Sequence, residues 1–399
     1  MDRSIRNNIF EEIIKTIEIP DSAYETAEKR YKDLGVSFSR PESNCSRFDP
    51  HIYAQGSFRL GTVVRPLDED APFDLDLACN LRKGLTKRTH TQEQLANLVG
   101  LDVEAFRVAR KIDKPTAKQH RCWRLIYADA LSFHMDVVPC IPEETERRGR
   151  LKEAMVKRGS LESFAEASAN LTVSITDDRN PNYRSLSNIW NISNPEGYAR
   201  WFESRMMLAT TLLEKRLREA KVARVDQLPT FRWKSPLQRC VQILKRHRDI
   251  RFKDNQDSKP ISIIISTLAA RAYNGESDTG EALERIVYNM GAGINSSVPR
   301  VPNPVDPDED FADKWPKAEG QQKQLEKNFR LWLEQAKADF ENIGSSTDTG
   351  FITEQAMHKF GSRLESHGLR DKLGITAPFV AVSPKSHRIV ETPAKPWQK

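Results

Sequence analysis

Three aspartates and one small turn carry the chemistry legible in this chain. Phe73-Asp74-Leu75-Asp76-Leu77 alternates apolar and acidic residues, so in a strand Asp74 and Asp76 project from one face while Phe73, Leu75 and Leu77 project from the other. Carboxylates so close repel unless cations stand between them, and hard oxygen ligands suit Mg2+ or Mn2+. A third acid, Asp136, sits in Phe133-His134-Met135-Asp136-Val137-Val138, another short apolar run. Upstream, Gly56 allows close backbone approach, and the Ser57 hydroxyl and nearby N–H groups can donate to phosphate oxygens. Taken singly, a Gly-Ser pair or an Asp-x-Asp on a strand edge is ordinary. In this order they form the kit for metal-assisted nucleotidyl transfer. That reaction needs an attacking hydroxyl, an α-phosphate and departing pyrophosphate, and two cations about 3.5–4 Å apart activate the first and neutralise the last. Asp74 and Asp76 would bridge two ions, and Asp136 would bind the one next to the hydroxyl and act as base or base-orienter.

The elements that must position these groups are also readable. Ile5, Ile9, Ile13 and Ile17 recur at helical spacing, widened by Phe10 and Ile14, before Pro20. A second helix follows, with Tyr24, Ala27, Tyr31 and Leu34 inward and Gly35 offering the turn that ends it. Between residues 50 and 140, Thr62-Val63-Val64, Phe73 to Ala78, Trp123 to Tyr127 and Phe133 to Val138 read as strands, interrupted by a helical pattern at 91–111. This mixture predicts an α+β lobe. Beyond a polar stretch at 176–197, helices dominate. Ser235-Pro236 is a helix start with a capping hydroxyl and proline at the first position. Ile261 to Ala270 reads as a core helix, and Leu325, Phe329, Trp332, Leu333, Ala336 and Phe340 form an amphipathic stripe ended by Gly344. The proline-rich run 293–320, with acids from Asp306 to Asp310, reads as an irregular loop. The polar end from Val382 reads as a loose tail.

Composition sets outer bounds. With 399 residues, 38% of them hydrophobic, the chain can bury a substantial core, and its length suggests two domains or one large bilobal unit. A mean hydropathy of -0.62 and the lack of a long apolar run argue against a membrane span. Met1-Asp2-Arg3-Ser4 has no signal-peptide character, so the expectation is a cytoplasmic protein. Five scattered cysteines form no Cys-x-x-Cys pair, which points to free thiols and away from zinc. Sixty-two basic against fifty-six acidic residues leave +6, suited to phosphate ligands but modest for a protein that tracks long nucleic acid.

Gln55-Gly56-Ser57-Phe58-Arg59-Leu60-Gly61-Thr62 followed by Phe73-Asp74-Leu75-Asp76-Leu77 resembles the polymerase-β-type nucleotidyltransferases, specifically the cGAS/DncV-like branch that makes cyclic oligonucleotides in bacterial anti-phage (CBASS) systems. The stretches from Ser235 through Lys245 and from Lys259 through Ser262 also look like that family's helical half, so the likeness spans most of residues 1–345. It implies N-terminal helices bracing both lobes at 1–35, a catalytic lobe at 36–175, a mainly helical, oligoadenylate-synthetase-like lobe at 176–378, a central cleft, and a flexible tail at 379–399. It further implies two Mg2+ ions, ATP and GTP as substrates, triphosphate contacts from Gln55, Gly56, Ser57, Lys245 and Ser262, a cyclic di- or trinucleotide product that activates an effector, and a tail open to conjugation. Lys245 borders the buried face of its helix and could overlook the cleft, or the basic run to Lys253 could be a solvated helix end. Ser262 could equally cap or pack. Trp190 to Trp201 combines aromatic and amide groups fit for a purine, or forms an inter-lobe turn. His134 shares the Asp136 face, as a site residue or a structural histidine. Two other functions compete: linear template-free transfer, which calls for a broader basic track, and a silent scaffold, which would be expected to lose an acid.

Overall fold

The computed structural model describes residues 3–68, 71–128, 133–208, 234–365 and 368–375. The tail at 379–399, and with it any conjugation site, lies outside the described residues. Two hydrophobic cores organise the chain. One is built on a sheet with strand order β1-β2-β5-β4-β3, extended by β6 on β5 and β7 on β6. Its strands are β1 (Pro50–Ala54), β2 (Phe73–Leu81), β3 (Ala117–Lys118), β4 (Trp123–Tyr127), β5 (Phe133–Pro142), β6 (Val173–Ile175) and β7 (Asn191–Ser193). β7 brings a strand from beyond residue 175 into this sheet. Leu75, Leu77, Met135 and Val137 point inward from β2 and β5, against Val99, Val103 and Phe106 of α4 (Gln92–Ala109). Thr91 and Gln94 start α4 with a reciprocal capping box.

The two N-terminal helices divide between the cores. α1 (Arg3–Ile17) buries Ile9, Phe10, Ile13, Ile14 and Ile17 in the helical core, each such side chain contributing about 1.5–3 kcal/mol. α2 (Asp21–Phe38) buries Ala27, Tyr31, Leu34 and Phe38 against the sheet. α2 does not end at Gly35 as expected. Burial of Phe38 carries it one turn further, and Gly35 stays in the helix.

α3 (Gly56–Leu60) is one short turn after β1; α5 (Thr145–Lys157) and α6 (Glu162–Ala169) lie between β5 and β6. The helical core then gathers α7 (Pro195–Met206), α8 (Pro236–Arg251), α9 (Ser262–Ala272), α10 (Thr279–Asn289), α12 (Leu325–Gly344), α13 (Thr349–Phe360) and α14 (Leu369–Leu373), with the short α11 (Ala318–Gln322) leading into α12. Ser235 accepts from the Gln238 N–H, closing a second capping box beside Pro236. The run 293–320 is more ordered than its prolines imply. β8 (Pro302–Asn303) and β9 (Asp306–Asp310) pair as a hairpin. The Asp310 carboxylate accepts from the N–H groups of Arg300, Val301 and Ala312, so a side chain supplies the ordering that prolines deny the backbone.

Thr62-Val63-Val64 is not a strand. Its carbonyls are taken by α8: Lys245 donates to Thr62 O at 3.0 Å and Gln242 to Val63 O at 2.6 Å, flanked by Gln238 on Leu60 O and Arg246 on Arg65 O. These four bonds tie the helical core to the segment just behind the Gly-Ser turn. Among the described residues no helix is long and apolar enough to cross a membrane.

Candidate active site

β2 and β5 run parallel, with Asp76 directly beside Asp136 and Asp74 beside His134. The alternation predicted for residues 73–77 therefore presents Asp74, Asp76, His134 and Asp136 from one face, while Leu75 and Met135 fill the core behind. Burial, followed by repulsion from Asp136 and Asp74, pushes the Asp76 carboxyl up to about 6. A half-buried acid between two like charges favours a cation beside it.

One cation is already there, and it belongs to the protein. Arg124 on β4 lies in register with Asp136, and its Nε and Nη2 each donate to the Asp136 carboxylate at 2.7 Å. It also approaches Asp74 at 3.9 Å, while His134 Nδ1 stands 3.5 Å from the same carboxylate. Arg124 holds its charge more firmly than a free arginine because of the hydrogen bonds and charge of Asp136. As they stand, no three Asp, Glu, His or Cys side chains among the described residues converge tightly enough to chelate an ion. The backbone places three carboxylates side by side, and the fork of Arg124 holds one of them. The donor set is all oxygen, the repulsion at Asp76 is only partly offset by Arg124 and Lys245, and a guanidinium stands in for positive charge: these residues fit a divalent cation.

The small turn meets the acids from above. Gln55 N–H donates to the Asp76 carbonyl at 2.8 Å. Gly56 then takes φ 64°, and a Cβ there would lie 2.4 Å from Asp76 Oδ2, so glycine is required by conformation and by space. Ser57 O accepts from Thr62 N–H at 2.9 Å, folding the turn back toward Thr62. Lys245 Nζ donates to both Thr62 O and Thr62 Oγ1 at 3.0 Å. It is not a solvated helix end, being 5% exposed, and burial reinforced by Arg248 lowers it to about 7 while Asp249 and Asp76 oppose the shift. Ser262 opens α9 and accepts from Arg248 Nη1 at 2.9 Å. Gln55, Gly56, Ser57, Lys245 and Asp76 thus form one neighbourhood, with Ser262 joined to it through Arg248. Trp190 is buried, its carbonyl accepting from Arg147 Nη1 at 3.1 Å, and the Tyr198 hydroxyl is bonded to Thr267 Oγ1 at 2.9 Å.

Arg124 was the residue the sequence reading missed. Its signal was present: in Trp123-Arg124-Leu125-Ile126-Tyr127 the arginine falls on the face opposite Trp123, Leu125 and Tyr127, within a strand otherwise apolar.

A parallel strand pair carrying facing acids, a glycine turn over them, and a helical core pinned to that turn define a nucleotidyltransferase of the polymerase-β type. The family model for the nucleotidyltransferase domain of cyclic GMP-AMP synthase DncV-like proteins matches residues 50–139, which hold the turn and all three acids. A c-di-GMP synthase from Roseivirga ehrenbergii is 31% identical over 301 residues, covering 74% of this chain and 67% of its own. The cyclic dinucleotide synthase CdnG of Bradyrhizobium diazoefficiens is 24% identical over 330 residues, covering 79% of this chain and 71% of the relative. Its structure in complex with GTP superposes with TM-score 0.61 at 20% identity, over 92% of this chain and 98% of that one. The chain belongs to the DncV-like nucleotidyltransferases, the enzymes that synthesise cyclic oligonucleotides.

Proposed function

We propose that this chain condenses nucleoside triphosphates, GTP among them, into a cyclic dinucleotide with release of pyrophosphate at each bond. The observation that carries this reading is the placement of Asp76 abreast of Asp136, with Asp74 on the same face, below a turn that Lys245 ties to the helical core. Asp74, Asp76 and Asp136 would hold two divalent ions, Mg2+ or Mn2+. When bound, these supply Lewis-acid chemistry, lowering the pKa of the attacking hydroxyl and neutralising the pyrophosphate. The chain's own residues do the rest. Gly56 admits the triphosphate close to the backbone, and the Gln55 side chain, the Ser57 hydroxyl, Lys245 and Ser262 take its oxygens. Asp136, once freed from Arg124, orients the attacking hydroxyl and accepts its proton, and Arg124 remains beside the developing charge.

The relatives supply the nucleotide: one is named a c-di-GMP synthase, and another has been solved with GTP. ATP is the second substrate to test, since the Vibrio cholerae di-nucleotide cyclase has been solved with ATP and GTP. A ring needs two transfers in one cleft, the linear intermediate turning over so that its former donor sugar attacks in the second. The product would serve anti-phage signalling by switching on an effector. Incubation with the four triphosphates and Mg2+, followed by phosphatase and exonuclease, tests the reading. A product resistant to both supports it. A product digested by exonuclease means linear transfer, and none from any triphosphate overturns the assignment.

A further inference from the structure

A cavity of about 700 Å3 opens at the β6–β7 edge of the sheet, with Ile175 and Asn191 in its lining. Along β5, Asp136, Val138 and Cys140 share one face by alternation. Cys140 lies opposite Ile175, and Ile175 opposite Asn191, so both of these cavity residues stand on the face of Asp136. Cys140 is four steps along the strand from Asp136, about 13 Å at 3.3 Å per residue, which is the scale of one nucleotide. The wall from the helical half is the β8–β9 hairpin, with Asp306 and Glu309. Arg121, which follows directly on the β4 side, and Arg147 add positive charge, and Trp190 closes one side. The Trp190 indole N–H is buried and has no acceptor among the described residues.

The acids of this wall differ in availability. Asp306 is the less exposed of the two, and burial raises its carboxyl above the usual carboxylate range. Glu309 is open to the cavity, and only its Oε2 is fixed, by Asn303 Nδ2 at 2.6 Å. Asn303 is itself buried and accepts from Val305 N–H at 3.0 Å, so it orients the carboxylate rigidly. Arg121 is held through its Nε by Asp177 at 2.7 Å, which leaves its terminal nitrogens as donors.

A fixed carboxylate beside an arginine selects among bases by simple chemistry. Guanine alone presents two adjacent donors, N1–H and the exocyclic amine, next to an acceptor, O6. Adenine and cytosine place a lone pair beside their amine, and uracil flanks its one donor with two carbonyls. We infer that this cavity seats the base of the attacking nucleotide and that Glu309 reads guanine through N1–H and the exocyclic amine, with Asn303 positioning Glu309 and Arg121 donating to O6. The inference rests on the transferase reading above and adds the base and its reader.

GTP and inosine triphosphate separate this role from a structural one, because inosine differs from guanosine only in lacking the exocyclic amine. The wild-type enzyme with Mg2+ should favour GTP over inosine triphosphate in kcat/KM by about 5- to 150-fold, the range for one bidentate base contact. Glu309→Gln should lower kcat/KM for GTP by a similar factor, mainly through KM. It should lower the inosine value less, because inosine offers only N1–H and the glutamine oxygen still accepts it, so that the preference collapses to within about threefold. Asn303→Ala should weaken the preference partially. Thermal melting of each variant reports folding, and Glu309→Asp serves if Gln unfolds the hairpin. An unchanged GTP preference in the variants, or equal losses for both substrates, overturns the inference. Product from ATP but none from GTP overturns the guanine assignment and leaves the transferase reading intact. No product from any triphosphate removes both.

Discussion

Replacing Asp76 by asparagine should stabilise the metal-free enzyme at neutral pH while abolishing its turnover. In the native state the Asp76 carboxyl is raised from 3.8 to about 6, chiefly by burial, then by its neighbours Asp136 and Asp74. The fold therefore prefers the protonated acid. Wild-type stability is undiminished below about pH 4 and erodes as pH rises through about 6, where the acid must ionise against its surroundings. Each factor of ten in acidity corresponds to about 1.4 kcal/mol, so ionised Asp76 costs the fold up to about 3 kcal/mol at pH 8. Asparagine keeps the shape and removes the charge. Thermal melting in EDTA should show Asp76→Asn more stable than wild type by about 1–3 kcal/mol at pH 8, or roughly 2–6 °C, with the gap closing near pH 4. Adding Mg2+ should then raise the wild-type melting temperature and leave the variant nearly unmoved. A variant that melts below wild type at pH 8, or a gap that ignores pH, would refute the repulsion argument.

Other residues give sharper local tests. Lys245→Ala should raise KM for the triphosphate at least tenfold with a smaller change in kcat. Because Lys245 is lowered to about 7, the wild-type KM should rise as pH climbs through 7 while the variant's should not; steady-state kinetics from pH 6 to 8.5 decide this. Gly56→Ala drives a Cβ against Asp76 Oδ2 at positive φ, so activity should fall by about a hundredfold or more while circular dichroism stays native. Lys87 and Glu143 form an ion pair with both side chains almost wholly buried. Lys87→Ala leaves Glu143 with the Ser174 hydroxyl, the Glu144 N–H and Arg147 as partners, and should cost about 1.5–3 kcal/mol in urea unfolding.

Much of the site was legible because its signals are local. The alternation in residues 73–77 fixes which side chains share a face, and the apolar runs around Trp123 and Asp136 mark the adjoining strands. The Ser235-Pro236 start and the Leu325 stripe survive because capping and amphipathic burial are decided within one helix. What stayed hidden depends on partners distant in sequence. Thr62-Val63-Val64 has strand-like residues, yet its carbonyls are claimed by Lys245 and Gln242 of α8. Asp306 to Asp310 looks like a solvated acidic loop until Asp310 is seen bonding three backbone N–H groups of its own hairpin. Gly35 carries no terminating force because Phe38, one turn on, is buried. Arg124 became a site residue only when the register set it against Asp136.

The central claim is that Asp74, Asp76 and Asp136 gather divalent cations once Arg124 lets go of Asp136. A crystal structure with Mn2+ and a non-hydrolysable GTP analogue, read by anomalous scattering, tests it most directly. Manganese peaks should lie within about 2.0–2.3 Å of oxygens from all three aspartates, with the Arg124 guanidinium turned away from Asp136 toward phosphate. Peaks elsewhere, or Arg124 still forked on Asp136 with nucleotide bound, would contradict it.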